Sequence, residues 1–115
     1  MKNFKELRIW QRSHQLVLDI YLITKSFPKE EVYGLTSQIR RSCSSIPTNI
    51  AEGCGRNSDA ELNRFLVIAM GSELEYQLIL IKDLGYIQIE SYEKLNNELV
   101  EIRKMLNTFI QKLIR

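Results

Sequence analysis

Apolar residues recur at alternating spacings of three and four along four stretches of the chain, which is the period of an amphipathic helix. The first stretch forms one seam and ends before Pro28, because proline disfavours helix in the residue that precedes it. The last stretch keeps the alternation for three heptads. The seam residues are Leu7, Trp10, His14, Val17, Tyr21 and Thr24 in the first stretch and Tyr92, Leu95, Leu99, Ile102, Leu106, Phe109 and Leu113 in the last. Both patterns predict helices that pack along their length against other helices.

The second predicted helix begins within residues 31–35 and ends at Gly53 or Gly55, where left-handed backbone at a glycine would stop it. Its core face occupies a sector of about 100° and consists of Leu35, Ile39, Cys43, Ile46, Ile50 and Cys54. Pro47 lies in the middle of this helix. A proline there removes a backbone hydrogen bond and costs about 3 kcal/mol unless the helix bends, so we expect a kink or a break around residues 44–47.

The third predicted helix opens with a capping box, Ser58-Asp-Ala-Glu61, and runs without interruption to about Leu84, before Gly85. Apolar positions surround nearly all of it. One face holds Leu62, Leu66, Ala69, Tyr76, Leu80 and Leu84, and another holds Val67, Leu74, Leu78 and Ile81. A helix that is apolar nearly all round is buried on nearly all sides, so the pattern predicts a homo-oligomer. The alternative is a central helix with stray aliphatic residues at the surface.

These patterns together predict an all-α protein, an antiparallel up-down four-helix bundle with a proline-kinked second helix, in which residues 1–115 form a single domain. The apolar sector of the third helix also contains a carboxylate, Glu73, which must be paired if it is buried. We therefore predict a buried polar network there, in preference to a general acid–base catalyst. Its candidate members are Gln38, Ser45, Asn49, Glu52 and Glu73.

Charge alone does not identify a partner, because sixteen Lys and Arg against fourteen Asp and Glu leave a formal net charge of only +2. Short basic clusters are the candidate nucleic-acid or interface residues, with ordinary solvated surface as the alternative. They are Lys5, Arg8, Arg12, Arg40, Arg41 and Arg56. An oligomer would repeat each weak patch once per subunit, which would strengthen phosphate binding and its dependence on salt.

Other chemistry finds little support in the residues. Cys43 and Cys54 would lie about 16 Å apart on one helix, too far for a disulfide, and with His14 as the single histidine they match no zinc pattern. We expect both cysteines to be buried apolar residues. No catalytic, cofactor or metal site is predicted, so we expect a protein that is not an enzyme. Without an apolar signal core or a stretch long enough to span a membrane, the sequence predicts a cytoplasmic protein.

Several blocks of the sequence resemble the four-helix bundle family encoded in bacterial 23S ribosomal RNA intervening sequences. The most specific are Gln38-Ile-Arg-Arg and Asn49-Ile-Ala-Glu-Gly, the latter followed by Arg56. The other blocks are Ile9-Trp-Gln, Thr24-Lys-Ser-Phe-Pro-Lys-Glu-Glu, Tyr33-Gly-Leu-Thr-Ser, Ser45-Ile-Pro-Thr and Phe65-Leu-Val-Ile-Ala-Met-Gly-Ser-Glu-Leu-Glu. They follow one another in order through nearly the whole chain.

A related branch of this family is the accessory variability determinant of diversity-generating retroelements, a homopentamer whose basic surface binds nucleic acid and a reverse transcriptase. The resemblance implies a homopentamer and a non-enzymatic accessory protein, with RNA or a nucleic-acid enzyme as its partner. Under this hypothesis Arg40, Arg41 and Arg56 either bind phosphate or join protomers. The alternative hypothesis is a structural or protein-docking module that does not bind nucleic acid.

Overall fold

The computed structural model describes residues 3–113, which form five α-helices joined by short connections. The helices are α1 (Arg8–Thr24), α2 (Leu35–Cys54), α3 (Asp59–Ile68), α4 (Ser72–Asp83) and α5 (Ile89–Leu113). Single turns of 3-10 helix, Phe4–Glu6 and Lys29–Glu31, precede α1 and α2. Since α3 and α4 together take the place of one long helix, the prediction of an all-α four-helix bundle is confirmed.

Contacts between consecutive helices join the end of one helix to the start of the next. Arg40, early in α2, donates a hydrogen bond to Thr24 at the end of α1. A Cβ placed on Gly53, late in α2, would lie 2.9 Å from the Leu62 side chain at the start of α3, whereas Ser42 contacts Gln77 of α4. The end of α1 therefore lies beside the start of α2, and the end of α2 lies beside the start of α3.

The predicted core face of α2 is confirmed, and that of α5 is confirmed except at its two ends, where Tyr92, Phe109 and Leu113 are half-buried. All six core positions of α2 are at most 7% exposed, and Leu95, Leu99, Ile102 and Leu106 of α5 are at most 6% exposed. One hydrophobic cluster joins these residues with Leu62, Leu66, Leu74, Leu78 and Ile81 of α3 and α4. The alternating pattern of α5 places its longest apolar stripe along the inside of the bundle, which is why this helix needs no interruption.

The predicted seam of α1 is right at Thr24 and wrong by one position along the rest of the helix. The residues that face the core are Ile9, Ser13, Leu16, Ile20 and Thr24. By contrast, Trp10 and Val17 are half-buried and His14 and Tyr21 are exposed. Both stripes have helical spacing, and the one with smaller side chains fits between α2 and α5 while the bulky aromatic stripe lies at the edge of the interface. His14 is stacked on Trp10 with 5.1 Å between ring centroids, so it is not a core histidine.

The predicted continuous third helix is also wrong, because the chain leaves the helical path between Ile68 and Ser72. Gly71 there has a φ of +76°, a left-handed backbone conformation that favours glycine. The interruption rotates α4 relative to α3. As a result the first predicted apolar face is buried in α3, at Leu62, Leu66 and Ala69, and the second is buried in α4, at Leu74, Leu78 and Ile81.

Two expectations for helix termination have different outcomes. The serine of the predicted capping box does cap α3, since its side chain accepts a hydrogen bond of 3.2 Å from the Glu61 N–H. Left-handed backbone does not end α2, because only Gly71 and Gly85 have positive φ among the described glycines. Instead α2 is unbroken from Leu35 to Cys54 and passes through Pro47 without the predicted break.

Candidate nucleic-acid interface

The predicted buried polar network is not formed. Gln38, Glu52 and Glu73 are exposed, and Ser45 and Asn49 are half-buried and bond to backbone carbonyls of their own helix. The physical reason is the interruption before α4, which turns Glu73 out of the apolar sector where a continuous helix would place it. With its side chain in solvent, Glu73 has neither the burial nor the partners that an acid–base role would require.

A different pair forms the buried polar contact between α2 and α4. The Ser42 hydroxyl lies within hydrogen-bonding distance of the Gln77 side-chain oxygen and, at 3.2 Å, of the Ile39 carbonyl, and its single O–H can donate to either. Ser42 is 6% exposed and Gln77 is 4% exposed. Neither residue was predicted to be a buried polar partner. Gln77 faces the core only because α4 is rotated relative to α3, and the sequence pattern did not predict that rotation. This contact favours one register of the two helices, whereas apolar packing alone would allow several.

Two of the predicted basic residues are already engaged within the protein. Arg12 of α1 makes a bidentate ion pair with Glu98 of α5, with both N···O distances 2.8 Å, and this hydrogen bonding raises the pKa of the arginine. Arg56 lies 3.3 Å from Glu52 and 4.8 Å above the Phe65 ring. Arg12 joins two helices, Arg56 covers an aromatic ring, and each is paired with a glutamate. Their positive charges are therefore largely compensated within the protein.

Two further predicted residues lie near the start of α1. Lys5 is exposed in the first 3-10 turn. Arg8 lines an apolar groove with Lys104, Phe109 and Lys112 near the end of α5. This groove carries three cations, but Arg40 and Arg41 do not line it. The six predicted basic residues therefore do not form one surface.

Arg40 and Arg41 lie in a pocket between the end of α1 and the start of α2, which we call the basic pocket. Its charged lining consists of Lys25, Lys29, Arg40 and Arg41, and no aspartate or glutamate lines it. Its volume of about 480 Å³ is within the range of roughly 300–1,000 Å³ that ligand sites occupy. Because like charges on one concave surface reinforce each other's field, this is the part of the described surface best suited to an anion.

Arg40 is held in place at the edge of the basic pocket. Its Nε donates a hydrogen bond of 2.8 Å to the Thr24 hydroxyl, and its guanidinium lies 4.5 Å from the centre of the Tyr21 ring. The guanidinium has more N–H donors than the protein uses, so Arg40 is oriented without being fully satisfied. Arg41, Lys25 and Lys29 are exposed, and no ion pair or side-chain hydrogen bond between described residues engages their charged ends.

The floor of the basic pocket contains an unpartnered hydroxyl. Thr36, which is 7% exposed, lines the pocket from the first turn of α2, and its Oγ1 has no hydrogen-bond partner. A buried polar group without a partner costs about 1–3 kcal/mol. The Glu31 carboxylate caps α2 at the Leu35 N–H, whereas no hydrogen bond in the described part of the chain engages the Thr36 or Ser37 N–H. This carboxylate offsets the positive end of the helix dipole, so the field of the pocket comes from its four cations.

The Glu31 carboxylate lies at the start of α2. Glu31 accepts a hydrogen bond of 3.2 Å from the Leu35 N–H and one of 2.8 Å from the Tyr86 hydroxyl. The latter bond raises the pKa of Tyr86. Glu31 does not line the basic pocket, because its carboxylate is held by the first residue of α2 and by Tyr86 in the connection that precedes α5.

A second concave surface lies further along the α1–α2 interface and is aromatic rather than basic. Phe4, Trp10 and His14 form one wall, and Pro47 and Ala51 lie on the opposite one, enclosing about 850 Å³. This groove exists because the aromatic stripe of α1 faces the small-residue side of α2. It contains Arg56 and Glu52, which pair with each other, so its charges are balanced.

The cysteines, the possible metal ligands and the helix lengths bear on three other kinds of site. Cys43 and Cys54 are both buried and not joined in a disulfide, and burial raises the pKa of the Cys43 thiol to about 12. Within residues 3–113 no cluster of three His, Cys, Asp or Glu is arranged to hold a metal ion. Over the same range, every helix is too short or too polar to cross a bilayer.

The fold and the basic pocket thus define a small all-α bundle protein that presents a cationic concave surface. Its sequence matches the profile of the 23S rRNA-intervening sequence proteins over residues 5–108, and the chain belongs to this family. A crystal structure of a protein of unknown function from the S23 ribosomal protein family of Bacteroides thetaiotaomicron is similar to it, with a TM-score of 0.79 and 32% identity. That similarity covers 89% of this chain and 97% of the other. No curated protein matches the sequence.

Proposed function

We propose that this protein is a non-enzymatic, homo-oligomeric accessory protein that binds RNA. The observation that carries the proposal is the basic pocket, where Lys25, Lys29, Arg40 and Arg41 converge without an opposing carboxylate. The family name associates related proteins with 23S rRNA, which supports RNA as the polyanion. A single protomer with net charge +2 makes few phosphate contacts, so useful affinity requires several copies of the pocket on one particle.

Exposed apolar residues support the oligomer. Part of the apolar surplus of residues 58–84 is buried once α4 is rotated, but Val67, Ile68 and Tyr76 remain 52%, 57% and 61% exposed on α3 and α4. Leu22 of α1 is 65% exposed. Apolar surface of this extent is typical of surfaces that meet another protein. We propose a homopentamer, the assembly that the family resemblance implies.

The RNA proposal is tested by fluorescence anisotropy with a labelled structured RNA at about 50 mM and about 200 mM salt. We expect binding at the lower salt and at least about a tenfold loss of affinity at the higher. The variant Lys29→Gln/Arg41→Gln should lose most of the binding. The control Arg8→Gln/Lys112→Gln removes the same charge near the start of α1 and the end of α5, outside the basic pocket, and should bind almost normally. No binding at low salt would refute the proposal.

Light scattering coupled to size exclusion tests the assembly. The pentamer predicts a mass five times that of the 13.5 kDa chain. A well-folded single chain of 13.5 kDa in dilute solution would contradict it and would remove the argument from repeated pockets. The structural or protein-docking alternative is favoured if the particle is oligomeric but binds no RNA at either salt concentration.

A further inference from the structure

We propose that a groove between the start of α1 and the end of α5 docks an acidic amphipathic helix of another protein. We call it the α1–α5 groove, and it encloses about 500 Å³. Its apolar lining consists of Leu7, Ile9, Met105 and Phe109, and its charged lining consists of Arg8, Lys104 and Lys112. None of the described residues that line it is acidic. This surface is separate from the basic pocket, and the inference does not depend on RNA binding.

The apolar floor of the α1–α5 groove is held in place by contacts between the two helices. Arg12 of α1 makes its bidentate pair with Glu98 of α5 and also lies 3.7 Å from the Met105 sulfur. Ile9 is 5% exposed and belongs to the hydrophobic core, against which Met105 and Phe109 pack as partly buried residues. The fold therefore fixes the floor, and a ligand does not have to order it.

The cations of the groove are accessible to a ligand. Arg8 and Lys112 are exposed, and no ion pair between described residues engages them. Lys104 lies 3.3 Å from Glu101, but these side chains are 70% and 48% exposed, and so exposed a pair contributes little. Lys104 and Lys112 lie about 12 Å apart along α5, on either side of Met105 and Phe109. The groove therefore offers positive charge at both ends of its apolar floor.

This distribution of charge and apolar surface selects among anionic ligands. The phosphates of a nucleic acid would pair with the cations but leave the apolar floor uncovered. A fatty acid would cover the floor, but its single carboxylate would use the cation at one end only. An amphipathic helix presents apolar residues along one face, and acidic residues that flank this face reach cations about two turns apart. It is therefore the ligand that complements both features of the groove.

The experiment titrates the full chain into a fluorescent synthetic peptide of about 15 residues, in which leucines form one helical face and glutamates flank it. The control peptide has the same composition, but its leucines are distributed around the helix, so that the charge is kept and the apolar face is lost. Anisotropy at about 50 mM salt should show the control binding at least about tenfold more weakly. Equal binding of the two peptides would overturn the inference, because only diffuse attraction would remain.

Matched variants locate the binding. Arg8→Gln/Lys112→Gln should weaken the peptide about tenfold, whereas Lys29→Gln/Arg41→Gln, which removes the same charge at the basic pocket, should not. All four residues are exposed, so thermal unfolding should show both variants folded. The peptide should also shift the Met105 methyl signal of the wild type, which requires contact with the groove. Unchanged affinity in Arg8→Gln/Lys112→Gln would overturn the inference.

Two other outcomes would identify a different occupant and would also overturn the inference. If myristate shifts the Met105 methyl signal and the peptide does not, the groove takes a lipid. If Arg8→Gln/Lys112→Gln lowers the mass of the particle in light scattering, the groove lies between copies of this chain. If the peptide binds as expected and structured RNA does not bind, the proposed function fails alone. If RNA binding depends on Lys29 and Arg41 but the peptide does not bind, the inference fails alone.

Discussion

α2 and the α3–α4 segment respond to a helix-breaking residue in opposite ways. α2 contains Pro47 and stays helical over twenty residues, whereas the segment from residue 59 to 83 contains no proline and is interrupted before Gly71. Pro47 is buried at the edge of the α1 interface, while Gly71 lies against Ile46 and Leu99 at the centre of the bundle. The difference shows that the interruption occurs where packing requires it.

The interruption before α4 is explained by the direction in which the apolar residues of α3 and α4 face. A continuous helix over residues 58–84 would place one apolar face toward the core in its first half and point it outward in its second, because its apolar residues change phase near Gly71. An interruption costs a few backbone hydrogen bonds but lets Leu74, Leu78 and Ile81 all become fully buried. Burial of one such side chain contributes about 1.5–3 kcal/mol, so rotation of α4 outweighs the loss.

The largest predicted effect is that of Gly71→Ala, which should lower the free energy of unfolding by about 3 kcal/mol. About 1–2 kcal/mol comes from left-handed backbone at alanine, and the rest from a methyl group 3.1 Å from both Ile46 and Leu99. Gly85→Ala is the matched control, because its φ is +78° with no atom within 4 Å of the new methyl. Urea unfolding should show a clearly smaller loss there. Equal losses would show that packing at Gly71 is unimportant.

The next effect tests the close approach of α2 to α3. A Cβ on Gly53 would lie 2.9 Å from the Leu62 side chain and 3.0 Å from the Phe65 Cβ. Gly53→Ala should therefore destabilise the protein by about 2 kcal/mol, despite the better helix propensity of alanine. Gly55→Ala, whose nearest contact would be 3.5 Å, should change stability little. If Gly53→Ala stabilises the protein in thermal unfolding, α3 is free to move away from α2.

A third prediction concerns the polar contact that holds α4 in its rotated register. Ser42→Ala should cost about 1 kcal/mol, because Gln77 would remain buried without its partner. The double variant Ser42→Ala/Gln77→Leu should recover most of that loss, and a double-mutant cycle from urea unfolding measures the coupling. Ser44→Ala serves as the control, since Ser44 bonds only to the Arg41 carbonyl of its own helix. Additive effects of Ser42 and Gln77 would mean that the contact does not stabilise the register.

The smallest expected effect is at the residue that looks most disruptive in the sequence. Pro47→Ala should change the free energy of unfolding by less than about 1 kcal/mol in either direction. The recovered backbone hydrogen bond is offset by loss of the buried proline ring and by greater freedom of the unfolded chain. A change of more than about 2 kcal/mol in urea unfolding would show that the proline strains α2 or anchors it.

Helix locations follow from local pattern, and the prediction succeeded where one pattern was unambiguous. The core faces of α2 and α5 each have a single apolar stripe, which was identified at every position of α2 and at the four central positions of α5. α1 has two adjacent stripes of similar strength. The choice between Leu16 and Val17 as the core position depends on how much space α2 and α5 leave, which no local pattern contains.

The candidate site was predictable only in part, for the same reason. Arg40 and Arg41 were identified because they are adjacent in the chain. Lys25 and Lys29 join them through the turn between α1 and α2, a convergence that requires the helix pair to be in place. Thr36 carried no signal at all, since a threonine early in a helix is ordinary until its hydroxyl is seen to be buried without a partner.

Local features were enough to predict the all-helical class, the family, the inward faces of α2 and of the middle of α5, and the cap of α3, because each depends on periodicity, short blocks or neighbours within a few residues. The folded chain was needed to show which stripe of α1 is buried, that the chain turns at Gly71 and that Glu73 faces solvent. Those outcomes depend on competition for space between helices distant in the chain, where a shift of one residue exchanges the buried and exposed faces of a helix.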